Sequence, residues 1–336
     1  FLTCILVFSC KKDKPEAVTS TIITSGNSGL VYISNEGNFQ FGNAAISLYD
    51  KDSKNIIEDY YKQVNQVPLG DVCQSMVYFN NKFYIVVKNS SKVMVVNAAT
   101  FKIETTISGF NSPRYFIPVS NSKAYVSDLY DNRLAIVNLS TNIISGYIPA
   151  VAGTEQMKMV YGKVFVSSLF TDKIYVINSM TDLLTDSIAL AYSPNSICED
   201  KNGMLWIMCS GDSLKQKPSA LVQLNPIDNQ VIKSLYFNGN HAPWRMCMNK
   251  QNDTLYFLDR HVWQMSIGDT TLPTTPFING NGKLFYALNV DASNGEIYVS
   301  DAIDYLQHGS IYRYTASGDL TDQFKAGIIP GGFCFR

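Results

Sequence analysis

The sequence predicts an all-β fold, a seven-bladed β-propeller built from four-stranded blades. Two observations predict it. Short strands rich in aromatic and β-branched residues recur about every 40 to 50 residues, which is the spacing of propeller blades. A loop and another short strand follow each of them. No linker-like stretch interrupts the repeat, so we expect one domain over residues 21–336.

The recurring aromatic strand is the second strand of each predicted unit. Its seven copies are Val31–Ser34, Phe83–Val86, Ala124–Ser127, Val164–Ser167, Leu205–Met208, Leu255–Leu258 and Ile297–Ser300. The predicted third strands are Ile46–Tyr49, Val93–Val96, Leu134–Val137, Ile174–Ile177, Leu221–Leu224, Val262–Met265 and Ile311–Tyr314. The fourth strand is a run such as Ile143–Ile148. The first is an apolar run after a Pro or Gly, such as Pro194–Cys198, so each unit holds four strands.

Several predicted third strands end in an Asn followed by a turn. The four cases are Asn97, Asn138, Asn178 and Asn225. The Asn side chain accepts hydrogen bonds from backbone N–H groups two or three residues later, which suits the first position of a turn. These residues therefore mark the hairpin between the third and fourth strands.

The two ends of the chain predict how the ring closes. The first clear strand, Leu30–Ser34, matches the second strand of the unit, whereas Gly331–Phe335 resembles the first strand. We expect the C-terminal strand to complete the blade that the N-terminal strand begins. Such pairing removes the exposed edge between the first and last blades.

The N-terminal segment predicts export. Residues 1–9 are apolar and are followed by Cys10 and two lysines. This run is shorter than the roughly 20 residues of a membrane-spanning helix and resembles the end of a bacterial lipoprotein signal. We expect residues 1–9 to be a signal-peptide remnant, Cys10 to be lipidated, and residues 10–20 to form a tether at the outer membrane, on the cell surface or, as the alternative, on the periplasmic side. An ordinary secretory signal or a cloning remnant is the alternative.

Charge and cysteine content exclude two classes of site. The chain has 27 Lys and Arg against 28 Asp and Glu, without a long run of like charge, which argues against a nucleic-acid-binding protein. Five cysteines remain after those of the N-terminal segment: Cys73, Cys198, Cys209, Cys247 and Cys334. Three of them follow a Pro by four residues, a position that Ile117 occupies after Pro113. This exchange with Ile predicts core thiols and not metal ligands.

One repeat resembles a known family. The segment Ala124–Asp128, then Leu134–Asn138, Thr141 and Ile143, is similar to the repeat of the YncE-like or YVTN propellers. The resemblance extends over essentially the whole mature chain and implies architecture more than activity. Together with the lipoprotein-like start, it is similar to surface propellers of Bacteroides-type bacteria, which include the BtuG-like cobalamin-capture proteins. That resemblance implies cobalamin as a ligand and an outer-membrane transporter as a partner, although no ligand motif can be carried over by residue.

Two sets of loops should meet on one face of such a propeller. The loops between second and third strands offer Phe39, Phe41, Tyr130, Phe170, Arg260, His261, Trp263, Tyr305 and His308. The connections into each first strand offer Arg114, Tyr115, His241, Trp244, Arg245 and Phe285. This density of aromatic and Arg residues predicts a ligand-binding face. Packing between blades is the alternative, above all for Trp263 and Phe285.

The three histidines raise the question of a metal. His241, His261 and His308 all lie in these loops, and converging imidazoles could hold a metal or approach a cobalt centre. Their spacing matches no local metal motif, and separate surface histidines are the alternative. We predict no metal site and no required cofactor.

Enzyme signatures are mostly absent. The sequence has no Gly-x-Ser-x-Gly elbow, no His-Glu-x-x-His and no glycine-rich phosphate loop. Turn capping explains Asp128, Asp259, Asp301 and Asp304 at strand ends. The sequence therefore predicts a non-enzymatic binding protein for a small molecule, with cobalamin as the candidate. The alternatives are a propeller enzyme of the lyase or lactonase type, with carboxylates or His converging in the channel, and a protein-binding surface component with a flat aromatic patch.

Overall fold

The computed structural model describes residues 29–336, which form seven antiparallel sheets. The predictions for the signal remnant, for Cys10 and for the tether lie outside these residues. The first strands of successive sheets contact one another around a complete ring, including the step from the last sheet back to the first. The predicted all-β, seven-bladed propeller is therefore confirmed. No helix within residues 29–336 has the length and apolar character needed to cross a membrane.

The strands follow one another blade by blade. Blade 1 contains β1 (Leu30–Asn35), β2 (Ala45–Asp50) and β3 (Ile56–Ile57). Blade 2 contains β4 (Cys73–Phe79), β5 (Lys82–Val87), β6 (Lys92–Asn97) and β7 (Ile103–Ser108). Blade 3 contains β8 (Pro113–Pro118), β9 (Lys123–Asp128), β10 (Arg133–Asn138) and β11 (Ile143–Pro149). Blade 4 contains β12 (Thr154–Val160), β13 (Lys163–Ser168), β14 (Lys173–Asn178) and β15 (Leu183–Ala189).

The remaining blades complete the ring. Blade 5 contains β16 (Pro194–Glu199), β17 (Leu205–Cys209), β18 (Ala220–Asn225) and β19 (Gln230–Tyr236). Blade 6 contains β20 (Trp244–Met248), β21 (Thr254–Asp259) and β22 (His261–Ser266). Blade 7 contains β23 (Phe285–Val290), β24 (Ile297–Asp301), β25 (His308–Tyr314) and β26 (Leu320–Ile328), and β27 (Pro330–Phe335) returns to blade 1. One short helix, α1 (Tyr60–Asn65), links β3 to β4, and a 3-10 turn (Lys88–Ser90) links β5 to β6.

Blade 1 joins the two ends of the described chain. Strand β27 is its innermost strand and pairs antiparallel with β1, with Ile33 opposite Phe333. Ile33 is fully buried and packs with Tyr49, Phe333 and the fully buried Tyr298 of blade 7. The predicted closure is confirmed, and the edge that an open ring would expose is paired.

The core lies between blades and not within them. The fully buried Phe165 and Val176 of blade 4, for example, pack in one cluster with Ile207 and Val222 of blade 5. Because both faces of the middle strands are covered, those strands need apolar side chains on both faces. This is why the second strand of each unit reads as a nearly continuous apolar run.

The predicted Asn turns are confirmed. The Oδ1 atom of Asn138 accepts hydrogen bonds from the backbone N–H groups of Ser140 (2.9 Å) and Thr141 (3.2 Å). Asn97 and Asn178 make the same pair of contacts in their own blades. Each turn returns through a residue with positive φ, such as Asn142 at 54°. The side chain thus satisfies backbone groups that the turn leaves without strand partners.

The predicted core thiols are also confirmed. Cys73, Cys209 and Cys247 are buried, Cys198 and Cys334 are half-buried, and none of the five forms a disulfide. Burial raises the pKa of the Cys198 thiol to about 12 and that of Cys334 to about 11. These thiols therefore stay protonated at neutral pH and act as small apolar groups.

Six of the seven blades have the four strands predicted for every blade, whereas blade 6 has three. In blade 6, residues 267–284 run irregularly where a fourth strand would pair with β22, apart from one isolated bridge between Val262 and Ile278. The segment contains Pro273 and Pro276, which have no N–H to donate to a strand ladder. The outer edge of this blade is therefore open to a cleft.

Every innermost strand begins with a β-bulge. In β8, for example, Pro113 pairs with Asp128 but the next pair is Phe116 with Val126, so the bulge includes Arg114 and Tyr115. A Ser near the end of the adjacent strand bonds to the bulge: the Oγ of Ser127 accepts from the N–H of Tyr115 at 3.0 Å. Ser167 and Ser300 make corresponding contacts in blades 4 and 7. The bulges turn side chains toward the end of the central channel.

We expect substitution of Ile33 by Ala to lower the free energy of unfolding by about 2 to 5 kcal/mol, because it leaves a cavity beside the closing strand. Chemical denaturation measures the change. Ile143→Ala is the matched control, since Ile143 is 63% exposed on an outer strand and should alter stability by no more than about 0.5 kcal/mol. An equal effect of the two substitutions would show that the closing blade does not take part in cooperative unfolding.

Candidate functional site

The loops between second and third strands and the starts of the innermost strands open on the same face. Together they enclose the mouth of the central channel, a cavity of about 300 Å³. All seven blades contribute to it. Its walls are formed by Glu36, Gln74, Lys88, Arg114, Tyr115, Glu155, Gln156, Leu169, Asn195, Ser196, Ser210, Trp244, Arg245 and Tyr286.

The second residue of each innermost strand supplies the wall of this channel mouth. In chain order, these residues are Gln74, Arg114, Glu155, Asn195, Arg245, Tyr286 and Gly331. Blade 1 differs, because a Cβ on Gly331 would lie 2.8 Å from Oε1 of Glu36. Glycine at this position leaves room for the Glu36 carboxylate, which follows β1.

Arg114 and Glu155 form a buried fork across two blades. The guanidinium Nε and Nη2 atoms donate to the two carboxylate oxygens, each at 2.6 Å, and Nη1 donates to Gln74. Both side chains are nearly buried. Burial by itself lowers the pKa of Arg114, but the Glu155 carboxylate more than offsets it, and the pKa rises. This pair is a fixed, charge-compensated part of the wall.

Glu36 is a nearly buried carboxyl group in the same mouth. Its Oε1 accepts a hydrogen bond from the Tyr286 hydroxyl at 2.9 Å and lies 4.0 Å from Nη2 of Arg245. Burial raises the pKa of Glu36, although Arg245 and Tyr286 act in the opposite direction. A carboxyl group that is desolvated in a cavity and faces a cation is typical of functional sites.

Arg245 is held against aromatic rings. Its guanidinium lies 5.2 Å from the Trp244 ring centroid and 6.0 Å from that of Tyr286, and Nη1 donates to the Tyr115 hydroxyl at 2.7 Å. The Nε atom is buried and has no hydrogen-bond partner within residues 29–336. The backbone of Arg245 has φ of 52°, an unfavourable region for a residue with a Cβ. The bulge thus stores strain while leaving a donor unused.

Lys88 adds a second unused donor. It comes from the 3-10 turn between β5 and β6 and is half-buried in the mouth. Burial lowers the pKa of its ammonium group, with Arg114 as the next cause. Within residues 29–336, the ammonium makes neither an ion pair nor a hydrogen bond. Three cationic side chains therefore face two carboxylates, so the mouth favours an anion.

Exposed aromatic side chains surround the mouth on the same face. Phe39, Phe41, Tyr130, Phe170 and Tyr305 are 59%, 77%, 61%, 49% and 43% exposed, respectively. They belong to the loops between second and third strands of blades 1, 3, 4 and 7. Tyr305 also packs edge-on against Tyr286 of the mouth, with centroids 5.8 Å apart. We call these five residues the aromatic rim.

Of the other site residues predicted from the sequence, Arg114, Tyr115, Trp244 and Arg245 line the mouth. Arg260 lies exposed at the tight turn between β21 and β22. Phe285 is 5% exposed in the core between blades, so the packing alternative is confirmed for it.

The three histidines make separate contacts. Nδ1 of His241 is bonded to Asp259, Nδ1 of His261 accepts from the Gly280 N–H at 3.0 Å, and Nδ1 of His308 lies 3.2 Å from Glu58. In the part of the chain that the structure describes, no three His, Cys, Asp or Glu side chains are grouped to hold a metal. The imidazoles are therefore not brought into a common site.

Turn capping by the strand-end aspartates is confirmed for three of the four. Asp128 accepts from four backbone N–H groups, Asp301 accepts from two, and Asp304 accepts from two. Asp259 instead holds the His241 ring, and that pair lies in a separate cleft.

Sequence reasoning missed Glu36, Gln74, Lys88, Glu155, Asn195 and Tyr286. A signal for four of them exists, because Gln74, Glu155, Asn195 and Tyr286 occupy the same repeat position as Arg114 and Arg245. Aligning the seven units on that position would have found them. Glu36 and Lys88 come from loops of different conformation, and no repeat position marks them.

We expect Glu36→Gln to gain stability relative to the wild type as the pH rises above about 4.3, the usual pKa of an unfolded Glu. The pKa of Glu36 is higher in the folded than in the unfolded protein, so the proton on Glu36 stabilises the folded wild type. That stabilisation is lost as the pH rises through the folded pKa, whereas a Gln side chain does not titrate. Denaturation curves at pH 4, 5, 6 and 7 measure the difference between the two proteins.

Glu104→Gln is the matched control with the opposite sign. Hydrogen bonds from Lys82 and Asn97 lower the pKa of Glu104, so its contribution is present above the unfolded pKa and lost as the pH falls. This variant should lose stability relative to the wild type as the pH rises. Parallel curves for Glu36→Gln and the wild type would contradict the raised pKa.

Comparison with known proteins gives a family and a fold. No curated protein sequence matches the chain. A quinonprotein alcohol dehydrogenase-like protein from Bacteroides thetaiotaomicron is 15% identical, with a TM-score of 0.73 over 92% of this chain and 78% of that one. A functionally unknown protein from Desulfotomaculum acetoxidans is 12% identical, with a TM-score of 0.71 over 92% and 99% of the two chains.

A proposed 6-phosphogluconolactonase from Bacteroides fragilis is also similar, at 12% identity and a TM-score of 0.67 over 93% of this chain and 99% of that one. At such identities the likeness concerns the fold alone. A family model matches residues 29–326, nearly all of the propeller. The chain is therefore a β-propeller and belongs to the family described as Domain of unknown function, DUF5074.

Proposed function

We propose that this protein is a binding protein that captures a small anion-bearing ligand at the channel mouth and does not transform it. The observation that carries the proposal is the pair of unused cationic donors, the Lys88 ammonium and the Nε–H of Arg245, inside a cavity to which all seven blades contribute. The Arg245 Nε–H is buried, and a desolvated donor without a partner costs folding free energy. A bound anionic group would offset that cost and receive charge-assisted hydrogen bonds.

The rest of the face suits a ligand larger than a simple anion. The cavity volume of about 300 Å³ lies at the lower end of the range for small-molecule sites. The aromatic rim extends the surface outward with large apolar contacts. Uncharged hydrogen-bonding side chains, those of Gln74, Gln156 and Asn195, lie between the charged ones. Such a face fits a broad molecule with an anionic group, amides and an apolar plane.

Cobalamin is the ligand we propose to test first. It combines a wide corrin ring, peripheral amides and a phosphate group. The resemblance of the repeat to YncE-like propellers, and of the N-terminal segment to a lipoprotein signal, supports the same candidate. In this proposal Cys10 is lipidated, the propeller is held at the outer membrane on the cell surface, and it presents cobalamin to an outer-membrane transporter.

A propeller enzyme of the lyase or lactonase type is the second candidate, and one observation favours it. Glu36 is a nearly buried carboxyl group with a raised pKa, placed beside Arg245 in the channel mouth. Such a group can act as a general acid or base. The protein-binding alternative requires a flat aromatic patch, whereas the aromatic rim surrounds a cavity.

We expect calorimetric titration of the purified protein with cyanocobalamin to give a one-to-one complex. Lys88→Met should weaken binding by about tenfold or more, because a hydrogen bond from a charged donor contributes about 1.5 to 3 kcal/mol. The variant should keep its stability, since Lys88 has no protein partner to lose. Lys54→Met, at an exposed Lys of the hairpin between β2 and β3 on the opposite face, is the matched control and should bind as the wild type does.

Absence of heat with tens of micromolar protein, together with a negative equilibrium dialysis experiment, would reject cobalamin. Binding that is equally strong in Lys88→Met would move the ligand away from the channel mouth. If the protein hydrolyses an aliphatic lactone and Glu36→Gln abolishes this activity, the protein is an enzyme and the binding function is rejected.

A further inference from the structure

A second cavity, of about 460 Å³, lies at the outside of the ring. It is bounded by β19 of blade 5 and by the irregular segment 267–284, where blade 6 lacks its outer strand. Its lining shares no residue with the channel mouth. The prolines of the segment keep a strand from filling this space. We call the cavity the outer cleft.

One wall of the outer cleft is aromatic. The Trp263 ring is stacked on Phe257, with an interplanar angle of 12° and centroids 6.5 Å apart. Phe237 meets Phe257 edge-on at 5.8 Å. The indole Nε1–H donates to the backbone oxygen of Asp259 at 3.1 Å, which fixes the orientation of the half-buried Trp263 ring. The wall is therefore a preformed apolar plane.

A His–Asp pair stands in the same cleft. Nδ1 of His241 is bonded to the carboxylate of Asp259, and the two side chains are 37% and 9% exposed. The carboxylate fixes the ring, and Nε2 makes no hydrogen bond within residues 29–336. The hydroxyl groups of Thr270, Thr271 and Thr274 also line the cleft and have no protein partner in the described chain. Hydrogen-bonding capacity is thus concentrated beside the aromatic wall.

The charge of the outer cleft differs from that of the channel mouth. No Lys or Arg lines it, and its one carboxylate is paired with His241. A ligand that matches this lining is neutral, carries several hydroxyl groups and has an apolar face. A pyranose ring has these properties, since its axial C–H groups form an apolar face and its hydroxyls project from the edge. We propose that the outer cleft binds a single neutral pyranose unit, stacked on Trp263 and hydrogen-bonded to Nε2 of His241.

Saturation-transfer NMR of the purified protein tests this proposal with three probes, methyl β-D-glucopyranoside, methyl β-D-galactopyranoside and methyl α-D-mannopyranoside, at tens of millimolar. We expect transfer to the ring protons of at least one probe, and at least about fivefold less transfer in Trp263→Ala. Tyr147→Ala is the matched control, because Tyr147 is an exposed aromatic residue of blade 3 that lies in neither cavity. It should leave the transfer unchanged.

A second variant guards against misfolding of Trp263→Ala. His241→Gln changes a residue at the cleft surface and should weaken binding of the same probe at least about threefold. Lack of transfer from all three glycosides overturns the proposal, as does transfer that persists unchanged in folded Trp263→Ala or in His241→Gln. Neither result depends on cobalamin binding, because the probes and the variants concern a separate cavity.

Discussion

The pairing of β27 with β1 is the constraint on which the rest of the structure depends. The channel mouth takes at least one side chain from every blade, so its geometry exists only while the ring is closed. Closure rests on strand pairing and on the core around Ile33 and Phe333, both between residues some 300 positions apart in the chain. A contact of such sequence separation costs chain entropy, and it is stabilised by apolar burial on both sides of blade 1.

Within the closed ring, a β-bulge in each innermost strand positions the side chains of the site. The bulge at the start of each innermost strand frees one residue from the ladder, and a Ser of the neighbouring strand satisfies backbone groups of the bulge in several blades. The freed side chains meet at the channel mouth, where opposite charges compensate one another only in part. Arg245 illustrates the cost, since its backbone is strained and its Nε–H is unpaired.

Local features of the fold were predictable from the sequence. The aromatic strands, the Asn turns and the buried cysteines each follow from residues within one repeat, and the closure follows from the mismatch between the first and last units. Residues of the site were predictable only where aromatic and Arg residues are concentrated in the loops, as for Arg114 and Arg245. Glu36 and Lys88 could not be assigned to it, because their role comes from contacts with other blades. The opening of Trp263 onto the outer cleft likewise depends on the irregular segment that stands in place of an outer strand in blade 6.

The single residue that each blade delivers at its bulge also bears on how such proteins diversify. In several blades a Ser hydroxyl holds the backbone of the bulge, so the side chain of that residue takes no part in these contacts. These positions can therefore differ between proteins that share the scaffold, although Arg114 and Glu155 must change together because they neutralise each other. Gly331 is the one of these seven residues without a side chain, and the carboxylate of Glu36 occupies the space next to it. The residues that determine recognition in this architecture are therefore far apart in the sequence, one in each of the seven blades.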